Sequence, residues 1–385
     1  MRSSYFPKPN DMPLLIDAHE DLAWNILSFG RDFSLSAHEI RQREIGTQIP
    51  TWNHGDCLLG WPDFQRGQVA VVFATLFATP ARSREGSWEK LVYKNPDQAY
   101  DLYRRSLEAY YRLVDQKPDK FRLILNQADL KAVLNHWAQP LKISADPDAE
   151  RPGHPVGLVV SMEGAESIRK LVELEEWWTD GLRMIGPAWA GNAFTGGTGE
   201  PGPLTHAGRE LLETMSGLGF GLDISHMDPQ AALQAIDAYG GVVYASHSNV
   251  ARLVKDPDSN RHLTDAVIRS LIAKDGVIGL VPYNRFLKPG WTWNLLDGRS
   301  RVHLQDLVAQ IDTVCQMAGD ARHAAIGTDF EGGFGWLGVP EEIDTIADLQ
   351  KIVPLLAEKG YTPEDIEAIF HSNWESILHR ILPEK

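Results

Sequence analysis

Apolar and β-branched residues fall in short runs, separated by longer stretches whose apolar positions recur at helical spacing. Leu14–Ile16, Val69–Phe77, Gly157–Val160, Leu182–Ile185, Phe220–Ile224, Gly241–Ala245, Gly276–Val281 and Ala324–Gly327 have the length and composition of buried strands. Between them, Asp97–Asp115, Thr205–Leu218, Pro229–Tyr239, Thr264–Lys274 and Leu304–Ala318 read as helices, several with suitable starting residues. Alternation of this kind builds parallel sheets. Eight such units, with no Gly-x-Gly-x-x-Gly turn after the first strand, predict an α/β fold of the closed (β/α)8 TIM-barrel type rather than an open doubly wound sheet.

A barrel of this kind accommodates residues 1–385 as one domain. Segments 30–68 and 78–96 are rich in Pro, Gly, Trp and charge, and 191–204 is a Gly-rich loop by composition. All three are expected at the rim. The Gly-rich loop lacks the Gly-Lys-Ser/Thr ending of a phosphate cradle and reads as a flexible connection. Glu331–Val339 resembles a further rim loop, and Thr362–Leu378 reads as one or two closing helices.

Hydrophobic residues make up 43% of the chain and charged residues 23%, enough apolar material for a large core. The net charge of −15 argues against nucleic acid and anionic membranes as partners and favours a small-molecule substrate. Cys57 and Cys315 are the only cysteines, too few for a disulfide framework and not spaced as a metal knuckle. No signal-like stretch or membrane span is evident, so a cytoplasmic protein is expected, with a homodimer left open.

Polar residues gather where the strand cores stop, the end at which barrels carry their chemistry. The first strand runs into His19 and Asp21, and a period of two puts both on one side, about 7 Å apart at Cα. Glu163 follows the buried run of the third strand, where an uncompensated charge would be costly. Asp-Ile-Ser-His226 and Ala-Ser-His247 end the fifth and sixth strands, and Gly-Thr-Asp329 ends the eighth. A single histidine on such a strand is as readily a hydrogen-bonded core residue as a ligand. Recurrence on separate strand ends favours a metal site, and imidazole with carboxylate suits zinc.

In their order and spacing, His19-Glu-Asp21, Ser-Met-Glu163-Gly, Asp-Ile-Ser-His226, Ala-Ser-His247-Ser and Ile-Gly-Thr-Asp329-Phe-Glu-Gly resemble the membrane (renal) dipeptidase family over most of the chain. The resemblance implies a binuclear zinc dipeptidase. His19 and Asp21 would bind one ion, His226 and His247 the other, and Glu163 would bridge them. It also implies that Asp329 handles protons and contacts substrate, and that Arg261 holds the substrate's terminal carboxylate. A salt bridge at the surface is the plainer reading of that arginine.

Trp189 stands where the family has a substrate-contacting histidine, and can serve as packing or as a replacement contact. His262 stands where the family often has asparagine, and Leu-Val281-Pro-Tyr283 replaces a commoner Asn-Phe-Tyr. Tyr283 is a further candidate substrate contact. The altered pocket keeps open hydrolysis of an N-acyl amino acid, lactam or lactone on the same metal frame. A binding protein without catalysis is the alternative from another class. Histidines 38, 54, 136, 154, 206, 303, 323, 371 and 379 read mostly as surface or structural, and Trp52, Trp61, Trp291 and Trp293 as packing for rim loops.

Overall fold

The computed structural model describes residues 12–50, 54–139, 153–254, 259–293 and 298–385. Trp52 and the first eleven residues lie outside the described residues. Eight parallel strands form the frame: β1 (Leu15–Glu20), β2 (Val69–Leu76), β3 (Val156–Glu163), β4 (Leu182–Gly186), β5 (Gly221–Asp223), β6 (Val243–Tyr244), β7 (Ile278–Leu280) and β8 (Ala324–Ile326). Continuous ladders join β1 to β2 and so on to β6, and β7 to β8. Single parallel bridges, Ala245 to Ile278 and Glu20 to Phe330, complete the ring. This is the expected barrel, with every predicted strand present.

Burial on both faces explains why the strands read as continuous apolar runs. All eight residues of β2 are buried, as parallel strands covered by helices require. Phe73 of β2 and Tyr244 of β6 meet across the ring, and Trp374 from the last helix packs on both. Its indole N–H donates to the Ile326 carbonyl at 2.8 Å. The closing segment is two helices, Pro363–Glu367 and Asn373–Ile381, joined by a wide turn over Ala368–Ser372.

Two buried carboxylates clasp the strands where ladder bonds are few. Asp17 of β1 accepts from the Thr328 N–H at 2.7 Å and its hydroxyl at 2.5 Å, tying β8 back to β1. Asp223 of β5 accepts the backbone N–H groups of Ser225 and Ser246, both at 2.9 Å. Each carboxylate therefore trades its lost hydration for several hydrogen bonds.

The helices Pro96–Gln116, His206–Leu218, Pro229–Ala238, Asp265–Ala273 and Leu304–Ala318 match expectation. Thr205 and Thr264 cap theirs through side-chain oxygens. The rim segments differ from the expected loops. Segment 30–68 contains helices Ala37–Glu44 and Trp61–Gly67, and 78–96 contains the short pair Thr79–Pro80 and Val92–Tyr93. A capping box between Ser36 and Glu39 starts the first of these helices, a local signal outweighed by the bulk composition. Among the described residues no helix is long and apolar enough to cross a membrane.

Candidate metal centre

All six chemistry-bearing residues lie at the carboxyl ends of strands. His19 is the penultimate residue of β1, Asp21 starts helix Leu22–Phe29, and Glu163 ends β3. His226, His247 and Asp329 each sit three residues past their strands. Two of them occupy left-handed backbone, His226 at φ 65° and Asp329 at φ 59°. Non-glycine residues held there cost roughly 1–3 kcal/mol, a strain that concentrates at functional sites.

Their side chains converge on Glu163. One carboxylate oxygen lies 3.0 Å from His226 Nε2 and 3.2 Å from His247 Nε2, and the other lies 3.7 Å from His19 Nε2. His19 Nε2 also approaches Asp21 at 3.5 Å and Asp329 at 3.9 Å. Two sets of potential ligands result, His19 with Glu163 and His247, and His19 with Asp21 and Asp329.

Hydroxyl groups orient two of the imidazoles. Ser246 Oγ donates to Asp223 and lies 2.7 Å from His247 Nδ1, so it accepts the Nδ1 proton. Thr198 Oγ1 is 3.0 Å from His226 Nδ1 and 3.4 Å from the His226 carbonyl, which allows the same arrangement. Both Nε2 atoms then present lone pairs, yet they are only 2.9 Å apart and face the same carboxylate oxygen. Asp21 Oδ1 is buried with no hydrogen-bond partner among the described residues. Converging lone pairs and an orphaned buried carboxylate are unfavourable unless cations lie among them. The donor set thus fits metal ions.

Electrostatics point the same way. Burial pushes Glu163 well above the usual carboxylate range, against the pull of His19. Burial likewise lifts Asp329 to about 7. For His19, burial opposes protonation, but Glu163, Asp21 and Asp329 outweigh it and raise the imidazole to about 10. Burial, assisted by Arg261 and His19, holds His226 and His247 well below the normal histidine range. The cluster carries more negative charge than its own side chains balance.

A cavity of about 630 Å³ opens above the cluster, lined by Asp21, Glu163, His226 and Asp329 and by Trp189, Arg261 and Tyr283. Arg261 is buried, which removes the surface salt bridge as its explanation. Its guanidinium donates to the His247 carbonyl at 2.7 Å and to Ser248 Oγ at 3.2 Å, and its Cζ stands 5.3 Å from the Phe286 ring. Trp189 forms a wall between Phe77 and His226, with ring centroids at 5.4 and 6.1 Å. Tyr283 stacks on Phe334 at 4.3 Å, and burial raises its hydroxyl above the usual range.

Of the remaining histidines, His54 is structural rather than surface-exposed, and it belongs to the cavity. It is buried in the cavity wall, stacked on Trp24 at 4.9 Å, and held near neutrality by burial and by Arg31, with a pKa lowered to about 3. Trp24 was legible in principle, since a helix starting at Asp21 places it one turn along on the same face. The Gly-rich loop is a correction. Arg82 binds Glu200 through Nε at 2.6 Å and Nη2 at 2.8 Å, and the Gly191 carbonyl at 2.6 Å. Asn260 donates to the Gly197 carbonyl and accepts from the Gly199 N–H, both at 2.9 Å. So clamped, the loop delivers Thr198 to His226, a contact that no local sequence signal announces.

Gly332 marks the closest backbone approach. A Cβ there would stand 2.1 Å from Asp329 Oδ1 and 2.9 Å from Asp21 Oδ2. Glu331, one residue earlier, is pinned by Arg31 and by the Leu58 N–H at 2.7 Å, which fixes the turn that carries Asp329.

A parallel barrel with buried imidazoles and carboxylates at its carboxyl mouth defines a metallohydrolase, and the comparisons agree. The sequence profile of the membrane dipeptidase family, peptidase family M19, matches residues 10–382, and the chain belongs to that family. An uncharacterized protein encoded in the pqqA 5′ region of Klebsiella pneumoniae is 30% identical over 66% of this chain and 94% of its own length. Dipeptidase tcpJ of Claviceps purpurea is 23% identical over 58% of this chain and 52% of its own. Among solved structures, a metallopeptidase from Rhodobacter sphaeroides, liganded with a phosphinate mimic of the dipeptide L-Ala-D-Ala, superposes with a TM-score of 0.74. It is 20% identical, over 96% of this chain and 99% of that one. The probable dipeptidase PvdM of Pseudomonas aeruginosa gives 0.72 at 18% identity, over 96% and 95% of the two chains.

Proposed function

We propose that the protein is a two-zinc dipeptidase acting as one catalytic domain, with its ligands divided about Glu163. His19 and Asp21 would hold one ion, His226 and His247 the other, and the Glu163 carboxylate would bridge them. The observation that carries this reading is the reach of one carboxylate to His226 and His247 through one oxygen and to His19 through the other. When bound, the ions supply Lewis acidity to the scissile carbonyl and make a water nucleophilic near neutral pH.

The chain's own groups perform the rest. Asp329, in the cavity wall beside His19, takes the proton of the attacking water and returns it to the leaving amine. Arg261 meets the substrate's carboxylate with a planar, permanently charged fork, held in place by its bonds to His247 and Ser248. Trp189 covers one side of the site, and Tyr283 with Phe334 closes another, which limits water at the reacting bond. The ligand named for the Rhodobacter relative, a dipeptide mimic, supports the same substrate class.

Purified, zinc-loaded protein should hydrolyse members of a dipeptide panel that includes D-residues on the C-terminal side. Failure across the panel would sink the dipeptidase reading. A second reading is favoured by Trp189, whose indole packs between Phe77 and His226 and offers a single neutral donor in place of an imidazole. It is hydrolysis of N-acyl amino acids, lactams or lactones, and comparing their turnover with that of dipeptides separates the two. A binding protein without catalysis would hold well under one zinc per chain and gain no activity on zinc addition.

A further inference from the structure

The cavity has a cationic end with more positive charge than one substrate carboxylate would use. Arg285 follows Tyr283 in the short helix Asn284–Leu287, is exposed, and lines the cavity together with Arg261, His262 and Phe286. Arg261 Cζ lies 5.3 Å from the Phe286 ring and the His262 ring 4.7 Å from it. Burial, with Arg261 and Arg285 both nearby, holds His262 at about 3. The two guanidinium groups therefore share one neighbourhood.

Asp329, Glu163 and Asp223 attract the Arg261 guanidinium without forming an ion pair with it. Among the described residues, no carboxylate forms an ion pair with Arg285 or Arg261, although the chain carries a net charge of −15. Other cavity and rim arginines are paired: Arg82 with Glu200, and Arg31 with Glu331 and Glu44. Arg261 Nε and His262 Nδ1 are buried with no hydrogen-bond partner. Across the mouth, Glu85 and Arg285 act on the Tyr283 hydroxyl in opposite directions. A ligand with two anions would give Arg285 a counter-ion and meet the unpaired Arg261 Nε in the same cavity.

We propose that the enzyme selects dipeptides whose C-terminal residue is dianionic, aspartate or glutamate, with the side-chain carboxylate bound by Arg285. The inference rests on the dipeptidase reading, in which Arg261 takes the α-carboxylate. The Cα and one or two methylenes separate the two carboxylates of such a residue, so both stay at the same end of the cavity. An amide of the same shape fills the space but leaves Arg285 without a counter-ion, and a carboxylate on the N-terminal residue lies on the other side of the scissile bond.

The test compares kcat/KM for matched dipeptides ending in Asp or Asn, and in Glu or Gln, in both configurations of that residue. Wild type should favour the acid by about fivefold, the scale of one partly exposed ion pair, with the difference mainly in KM. Arg285→Ala should bring the acid-to-amide ratio to about one, and Arg285→Lys should restore part of it. The ratio is insensitive to the fraction of variant that folds. Equal rates in wild type, or an unchanged ratio in Arg285→Ala, would overturn the proposal while leaving the dipeptidase reading intact. No turnover of any dipeptide would overturn that reading instead. The product amino acids then decide the subsite by themselves. Zinc-loaded wild type should gain more thermal stability from aspartate and glutamate than from asparagine and glutamine, a difference that Arg285→Ala abolishes. Equal stabilisation by acid and amide would overturn the proposal.

Discussion

The two halves of the candidate metal centre are built differently. On one side, His226 and His247 each have Nδ1 held by a hydroxyl, and the hydroxyl on His247 is anchored in turn by the Asp223 carboxylate. On the other, the hydroxyl nearest His19 is Thr75 Oγ1, at 3.3 and 3.4 Å from both ring nitrogens rather than on one of them, and Asp21 has a buried, unpartnered oxygen. The first half is shaped by hydrogen bonds before a cation arrives. The second is a concentration of negative charge and would rely on a cation for its geometry. Preorganised ligands bind a metal with little rearrangement, whereas a charge-rich pocket attracts the ion first and orders around it.

Removing the link between the halves should have the largest effect. Glu163→Gln is expected to lower kcat/KM by about 10³ or more and to cost both halves metal, read by steady-state kinetics with elemental analysis. Loss of one ion alone would show that Glu163 does not bridge. Gly332→Ala drives a methyl group against Asp329 and Asp21. It should take kcat down by about 10², as displacement of a catalytic group by 1 Å can, and empty the His19 half selectively. A variant that keeps two metals and full rate would mean the turn yields freely.

Ser246→Ala and Thr198→Val address the ordered half. Each should weaken metal retention by about tenfold or somewhat more, measured by competition with a chelator, while the His19 half keeps its ion. Equal weakening of both halves would erase the distinction drawn here. The smallest effect concerns His54, which walls the cavity near Asp21. Its folded pKa of about 3 lies below the ordinary 6.5, so between those values the unfolded chain binds a proton that the native protein refuses. Stability therefore falls as pH drops through that window. His54→Gln should flatten the fall in urea midpoint between pH 6.5 and about 4, and an unchanged slope would count against a buried neutral imidazole.

Much of the site could be read one strand at a time. His19 and Asp21, Glu163, His226, His247 and Asp329 each follow an apolar run, and a parallel barrel turns all such ends to one mouth. Thr198 and His54 were not legible in this way. Both come from rim segments whose composition indicates a loop or an exposed stretch and not what it lies against. The capping box at Ser36 was written locally but masked by the surrounding Gly, Pro and charge.

The sequence by itself determined the order of the eight barrel strands, because burial on both faces demands apolar runs, and the kinds of candidate ligand at their ends, because uncompensated carboxylates there are costly. Only the tertiary structure decided which oxygen of Glu163 faces which imidazole, that a clamped glycine loop orients His226, and that Arg285 and Arg261 line one cavity. Those relations join residues far apart in the chain, and their energies depend on distances of a few ångströms that exist only once the barrel has closed.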